Sequence, residues 1–164
     1  MSEATQKFQE AAALAAQGLL AEAATAFRSV VDGWPDDELA DDALYDTGAC
    51  YLAMSQFRRA AETFQQVVER YPDAAIRDDA PGESGRTAAK AWLGIVAAQL
   101  GMGDVEAARR AGDRLADYSD STVTPPDGLP RSYHDVALTL LSANAPEPEE
   151  TADEVGPDDV VADG

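Results

Sequence analysis

The sequence is poor in the residue types that build disulfides, metal centres and catalytic sites. Cys50 is the one cysteine and His134 the one histidine among 164 residues. A lone thiol forms no internal disulfide, and without a cluster of Cys and His side chains the sequence predicts no metal site and no cofactor. His134 is interpreted as a surface or half-buried residue, so no enzymatic activity is expected.

Positive charge is also scarce. Lys and Arg number 12 against 31 Asp and Glu, which gives a formal net charge of −19. Nucleic-acid binding requires clustered basic side chains for phosphate contacts, whereas Arg58-Arg59 and Arg109-Arg110 are isolated pairs among acids. The composition therefore disfavours nucleic acid and anionic membrane surfaces as partners.

Long apolar runs are missing as well. No stretch approaches the ~18 apolar residues of a membrane span, and the N-terminal segment MSEATQKFQEAAALAAQGLLAEAA lacks the basic start and continuous apolar stretch of a signal peptide. These features predict a cytoplasmic protein with no membrane insertion. The acidity is typical of extreme halophiles, because molar salt shortens the Debye length to about 3 Å and screens self-repulsion. The alternative is an ordinary acidic soluble protein.

What the chain does contain is a repeated helical pattern. FRSVVDGWPDD at 27–37 reappears 37 residues later as FQQVVERYPDA at 64–74. Before each of these endings, apolar or small residues recur at helical spacing, which places them on one side of a helix. No sustained strand-like alternation is present. The sequence therefore predicts an all-α fold with no sheet in residues 1–118.

The pattern resembles the tetratricopeptide repeat, whose signature is W-x2-L-G-x2-Y, then A-x3-F, then P over 34 residues. Copies are placed at 4–37, 41–74 and 84–118, the third with one extra turn residue and with Gly101 marking its turn. The positions that carry the resemblance are Ala23, Phe27, Pro35, Gly48, Tyr51, Ala60, Phe64, Pro72, Gly94 and Ala107. The 37-residue step is similar to a longer-period branch of envelope-assembly and Tol–Pal-associated proteins.

The resemblance implies a right-handed helical-hairpin solenoid of three helix pairs within a domain spanning residues 1–143. A helix at 130–143 is expected to cap the last pair, because solenoids need a polar end for solubility. Residues 144–164 hold eight acids and no base, so this tail is expected to be disordered.

In proteins of this family, the first helix of each pair lines a concave groove that holds a partner peptide or helix. Carried over by position, the groove residues are Thr5, Phe8, Ala12, Asp42, Tyr45, Ala49, Leu52, Ala91, Ile95 and Gln99. Chaperone-binding members grip a C-terminal carboxylate with Lys and Asn, but Phe8, Ala12, Tyr45 and Ala49 occupy those positions. The alternative is that the alanines only permit helix packing and that Tyr45 belongs to the core.

The function that the resemblance implies is a non-catalytic adaptor or scaffold. Its partner would be a peptide or helix of another protein, or a second copy of the chain. An alternative is a structural or assembly factor of the cell envelope, which the 37-residue period suggests and the absent signal peptide disfavours.

The acidic composition predicts that the fold weakens when salt is removed. Helicity and the melting midpoint, followed by circular dichroism, should both be lower in millimolar than in molar KCl, because the self-repulsion of the net charge of −19 is then unscreened. Equal values at the two salt concentrations would contradict the halophile interpretation.

Overall fold

The computed structural model describes residues 1–126 and 128–147, and these ranges are mostly helical. The helices are α1 (Glu3–Ala16), α2 (Leu20–Gly33), α3 (Ala40–Ala53), α4 (Phe57–Arg70), α5 (Thr87–Gly101), α6 (Val105–Arg114) and α7 (Tyr133–Ala143). A 3-10 turn, Leu115–Asp117, extends α6. The predicted all-α fold is confirmed, while residues 148–164 of the predicted acidic tail lie outside the described residues.

The helices pack in the order in which the chain makes them. From α1 to α6 each helix contacts the next, and α7 closes the stack against α5 and α6. The result is three helical hairpins followed by a final helix. No helix in the described ranges combines the length and the apolar character needed to cross a bilayer.

The turn inside each hairpin contains one residue with a left-handed backbone. These residues are Gly18 (φ 77°), Ser55 (φ 58°) and Gly103 (φ 77°). Gly101, which was expected to mark the third turn, is instead the last residue of α5. A Cβ at Gly101 would lie 2.5 Å from the Phe57 ring, so this glycine is needed for close packing and Gly103 makes the turn.

Each of the first two hairpins ends at an aromatic residue that precedes a proline. Trp34 follows α2 (φ −138°, ψ 64°) and Tyr71 follows α4 (φ −130°, ψ 52°). Both residues have left the helical region, which a following proline disfavours. The Tyr71 hydroxyl donates a hydrogen bond of 2.8 Å to the carbonyl oxygen of Pro35. The repeated ending therefore also ties the second hairpin back to the first.

The core is built around Phe64, whose ring lies between the backbones of α3 and α5. A Cβ added at Gly48 would lie 2.8 Å from the ring, and one added at Gly94 would lie 2.6 Å from its other edge. Phe64 is 1% exposed. In the first hairpin Phe27 is likewise buried, and its ring meets that of Phe8 edge-on at a centroid distance of 5.2 Å.

The third hairpin departs from the predicted register. Ala108 is fully buried and Ala107 only partly so, so Ala108 rather than Ala107 takes the position of Ala60. The chain has two extra residues between Gly94 and this alanine, not one. Gly112 then occupies the phenylalanine position, and a Cβ there would lie 2.9 Å from Leu141 of α7. The final helix thus contributes the side chain that the third repeat lacks.

A small sheet corrects the expectation that residues 1–118 contain no strand. Strands β1 (Glu83–Ser84), β2 (Thr122–Val123) and β3 (Arg131–Ser132) pair antiparallel in that order. Each has two residues, which is too short for alternation to show in the sequence. Gly85 (φ 111°) lies so close to Ser121 that any side chain would overlap it. The sheet joins the α4–α5 loop to the connector before α7.

We predict that Gly48→Ala and Gly94→Ala each destabilise the fold by about 1–3 kcal/mol, the usual cost of overpacking. The Phe64 ring cannot move away from one new methyl group without approaching the opposite helix. Thermal or denaturant unfolding measures the effect.

Gly33→Ala is the matched control, since Gly33 is the last residue of α2 and nothing lies within 4 Å of an added Cβ. It should be neutral or stabilising by up to about 1 kcal/mol. If all three variants unfold at the same point, the ring does not set the spacing between α3 and α5.

Candidate functional site

A pocket of about 330 Å³ opens between α1, α3, the beginning of α5 and the α4–α5 loop. We call it the α1–α3 pocket. Its lining residues are Thr5, Phe8, Gln9, Leu39, Asp42, Asp46, Ile76, Arg77, Asp79, Ala80 and Lys90. It combines an apolar floor with charged walls.

The pocket brings together three of the predicted groove residues, namely Thr5, Phe8 and Asp42. They come from the first helices of the first two hairpins. Thr5 and Asp42 are 37 residues apart in the sequence, which is one repeat step. The pocket therefore lies on the face where equivalent positions of successive repeats meet.

The other predicted groove residues lie elsewhere. Ala12 is exposed on α1, whereas Ala91 and Ile95 are buried, at 0% and 5% exposure, and offer no surface to a partner. Gln99 lines a separate cleft beside Arg58 and neighbouring residues of α4. Ala49 and Leu52 are half-buried and pack against the core.

Tyr45 lies with the core. Its ring contacts that of Phe64 at a centroid distance of 5.3 Å, and the ammonium of Lys90 lies 4.4 Å from the ring centroid. Burial, followed by the nearby carboxylate of Glu83, raises the pKa of Tyr45 above its usual value. The phenol therefore stays neutral and contributes packing rather than charge.

The α4–α5 loop forms the outer wall of the pocket. Ile76 is buried, and its backbone N–H donates a 2.7 Å hydrogen bond to the carbonyl of Gly85. Glu83 accepts a 2.8 Å charge-assisted hydrogen bond from Lys90, and both side chains are largely buried. The loop is thereby fixed to the beginning of α5.

The sequence reasoning missed Asp46, Lys90 and the loop residues of the pocket. Asp46 could have been found, because it lies four residues after Asp42 and so on the same side of α3. The loop had no comparable signal, since its position depends on the sheet and on the pairing of Glu83 with Lys90.

The two carboxylates of α3 are electrostatically unusual. Burial, and then the neighbouring Asp41, raise the pKa of Asp42 to about 7. Burial is also the main cause that raises the pKa of Asp46 to about 6. The Asp42 side chain is 17% exposed, and its nearest cationic atom, Nε of Arg77, lies 3.9 Å away. Ionisation of both acids is therefore costly in the folded chain.

A larger open cleft of about 830 Å³ lies between the endings of the first two hairpins and adjoins the α1–α3 pocket, with which it shares Ile76, Arg77 and Asp79. Acidic side chains dominate its wall together with Tyr71, whose hydroxyl bonds to Pro35 there. This cleft is the seam between two repeats and contains no residue of α1. We therefore take the smaller pocket as the candidate site.

Across the described ranges, no group of three His, Cys, Asp or Glu side chains is placed to hold a metal ion. Cys50 is buried, and burial raises the pKa of its thiol, which keeps it in the unreactive protonated form.

Comparison with known proteins agrees with the repeat assignment. The family model of the tetratricopeptide repeat matches residues 42–74, which span most of α3, the turn, α4 and the closing Tyr71-Pro72. No curated protein matches the chain. The match confirms the resemblance drawn from residues 41–74, and repeats of this family generally mediate protein–protein interactions.

The raised pKa values predict that stability falls as the pH rises from about 5 to about 8. Asp42 keeps its proton in the folded chain up to about pH 7, whereas in the unfolded chain it loses it near 3.8. The folded state thus binds more protons in this window, and one such group contributes a slope of at most about 1.4 kcal/mol per pH unit.

Melting midpoints of Asp42→Asn across this pH range test the assignment. The variant should be more stable than the parent chain near pH 8 and should show a flatter pH dependence. Asp36→Asn, at an exposed residue, removes the same formal charge and is the control. Identical pH profiles for the two variants would mean that general repulsion, rather than burial of Asp42, causes the slope.

Proposed function

We propose that the chain, which is a tetratricopeptide-repeat protein, is a non-catalytic adaptor or scaffold that binds a peptide or helix of a partner protein in a high-salt cytoplasm. The proposed binding site is the α1–α3 pocket. The observation that carries the proposal is that equivalent positions of two successive repeats, Thr5 and Asp42, line one accessible pocket with an apolar floor.

The apolar side chains of the pocket suit an anchor residue of a bound segment. Leu39 is 2% exposed and forms part of the floor, while Phe8 is half-buried at the wall. The edge-on contact with Phe27 holds the Phe8 ring in place. A preorganised apolar surface binds with a smaller entropic cost than one that must first become ordered.

The position of the loop limits where a partner can lie. Ala91 and Ile95 of the third hairpin are buried, and the loop residues Ile76 and Ala80 line the same pocket as Phe8. A partner segment would therefore contact mainly α1, α3 and this loop, in a shorter site than a groove along all three hairpins. Recognition of an amphipathic helix or a short peptide through one or two anchor residues fits such a site.

Gln9→Arg tests the proposal, because Gln9 is exposed and lies at the pocket wall, where a long charged side chain would obstruct entry. Tagged protein is recovered from lysate of its host in molar salt, and its bound proteins and oligomeric state are determined. We expect the parent chain to carry a stoichiometric partner or a defined self-association, and Gln9→Arg to weaken it at least tenfold.

Gln6→Arg is the matched control, since it is the same substitution on an exposed side of α1 that does not line the pocket. It should behave as the parent chain does. A chain that stays monomeric and recovers no partner would overturn the adaptor function, and equal loss in both variants would overturn the placement of the site.

A further inference from the structure

The α1–α3 pocket contains two acids whose nearby cations are engaged mainly with other groups. Asp42 and Asp46 lie one helical turn apart on α3. Among the residues that the structure describes, Asp42 has one ion pair, the long 3.9 Å contact with Arg77. In the part of the chain that the structure describes, no hydrogen bond or ion pair reaches the Asp46 carboxylate.

The charged groups around these two acids are engaged with other partners. Arg77 binds Asp79 through two hydrogen bonds, of 3.0 Å from Nε and 2.9 Å from Nη2. Lys90 donates to Glu83 at 2.8 Å and lies over the Tyr45 ring.

Asp41, which precedes Asp42, is also satisfied. Its carboxylate accepts a 2.6 Å hydrogen bond from the Thr87 hydroxyl at the start of α5. The charged side chains that influence Asp42 and Asp46 are therefore each engaged with another group. They are Asp41, Arg77, Glu83 and Lys90.

Placing two weakly paired carboxylates in one pocket lowers the stability of the fold and gives a cationic ligand a favourable binding site. Asp42 and Asp46 are half-buried, so their carboxylates are less well hydrated than exposed ones, and a cation that reaches them recovers part of that cost. Asn at either position would avoid the charge. Two such acids facing a pocket with an apolar floor are therefore better matched to a ligand than to the fold alone.

We infer that the α1–α3 pocket binds a basic side chain, Lys or Arg, of the partner segment. The inference rests on the proposed function, because the site is the same pocket. The charged end would lie between the carboxylates of Asp42 and Asp46, and the alkyl stem would lie against Phe8. Long basic side chains commonly bury their stems on apolar surface in this way.

The apolar part of the pocket gives such a side chain an advantage over a simple ion. In a high-salt cytoplasm, potassium competes for any exposed carboxylate and screens it. A Lys or Arg side chain adds contacts with Phe8 and Leu39 that a hydrated potassium ion does not make. We therefore expect selectivity for basic side chains even in molar salt.

The probe for the test is the acetylated, amidated peptide Ala-Leu-Lys-Leu-Ala, compared with the same peptide carrying norleucine in place of lysine. Each is titrated into ¹⁵N-labelled full-length protein in molar KCl near pH 8, and amide chemical shifts are recorded. The lysine peptide should give saturable shifts at Thr5, Phe8, Asp42 and Asp46. The norleucine peptide should bind at least tenfold more weakly.

Two double variants separate the pocket from the general acidity of the chain. Asp42→Asn/Asp46→Asn should weaken binding of the lysine peptide at least tenfold. Asp113→Asn/Asp117→Asn removes the same charge at the same spacing from exposed residues near the end of α6, and should leave binding unchanged. Circular dichroism checks that both variants keep their helicity.

Lowering the pH is a test without substitution. Near pH 5 both acids are protonated, given pKa values of about 7 and 6, and the lysine peptide should lose its advantage over the norleucine peptide. The groups that act on Asp42 in this range are Asp41, Asp46, Lys90 and Arg77. Glu83 and Lys90 act on Asp46.

Several outcomes would overturn the inference. These are shifts that do not saturate, equal binding of the two peptides, or unchanged binding by Asp42→Asn/Asp46→Asn. A natural partner that is lost with Gln9→Arg but kept by Asp42→Asn/Asp46→Asn would leave the adaptor function standing and overturn the basic side chain. If the chain binds the lysine peptide selectively but recovers no partner, the basic side chain would stand and the adaptor function would be overturned.

Discussion

The edge-to-edge width of one phenyl ring sets the geometry on which the other features depend. Phe64 lies between Gly48 of its own hairpin and Gly94 of the next, with no room for a methyl group on either side. The distance between α3 and α5 is therefore fixed. That distance places the Asp41 carboxylate within 2.6 Å of the Thr87 hydroxyl and Lys90 over Tyr45. The charged walls of the pocket are thus positioned by an uncharged contact in the core.

Several of the few cations of this acidic chain lie over aromatic rings. Five of the 12 Lys and Arg residues lie over a ring, within cation–π distance of its centroid. The pairs are Arg59 with Tyr51, Arg70 with Tyr71, Arg86 with Tyr118, Lys90 with Tyr45 and Arg114 with Trp92. A cation on a ring can also pair with a carboxylate, as Arg86 does with Asp120 and Lys90 with Glu83.

The sequence predicted those features that local spacing determines. The hairpins, the glycines that face Phe64 and the endings at Pro35 and Pro72 all follow from periodicity and from the repeat signature. The predicted register of the third hairpin was wrong by one residue, because Gly112 occupies the position where a phenylalanine would have fixed it. The Leu141 side chain of α7 fills the space that this phenylalanine would have taken. No local pattern contains a contact between residues so far apart in the chain.

The pocket was only partly predictable for the same reason, and the α4–α5 loop explains what was missing. The loop forms one wall of the pocket. It also keeps the pocket acidic, because Glu83 binds the ammonium of Lys90 at 2.8 Å. Without Glu83, Lys90 would be available to neutralise Asp42 and Asp46, whose pKa values it already lowers. The residues that lie between α4 and α5 therefore do more than lengthen a connection. They take up the lysine beside two half-buried acids, which fits the basic side chain that we infer as the ligand of this pocket.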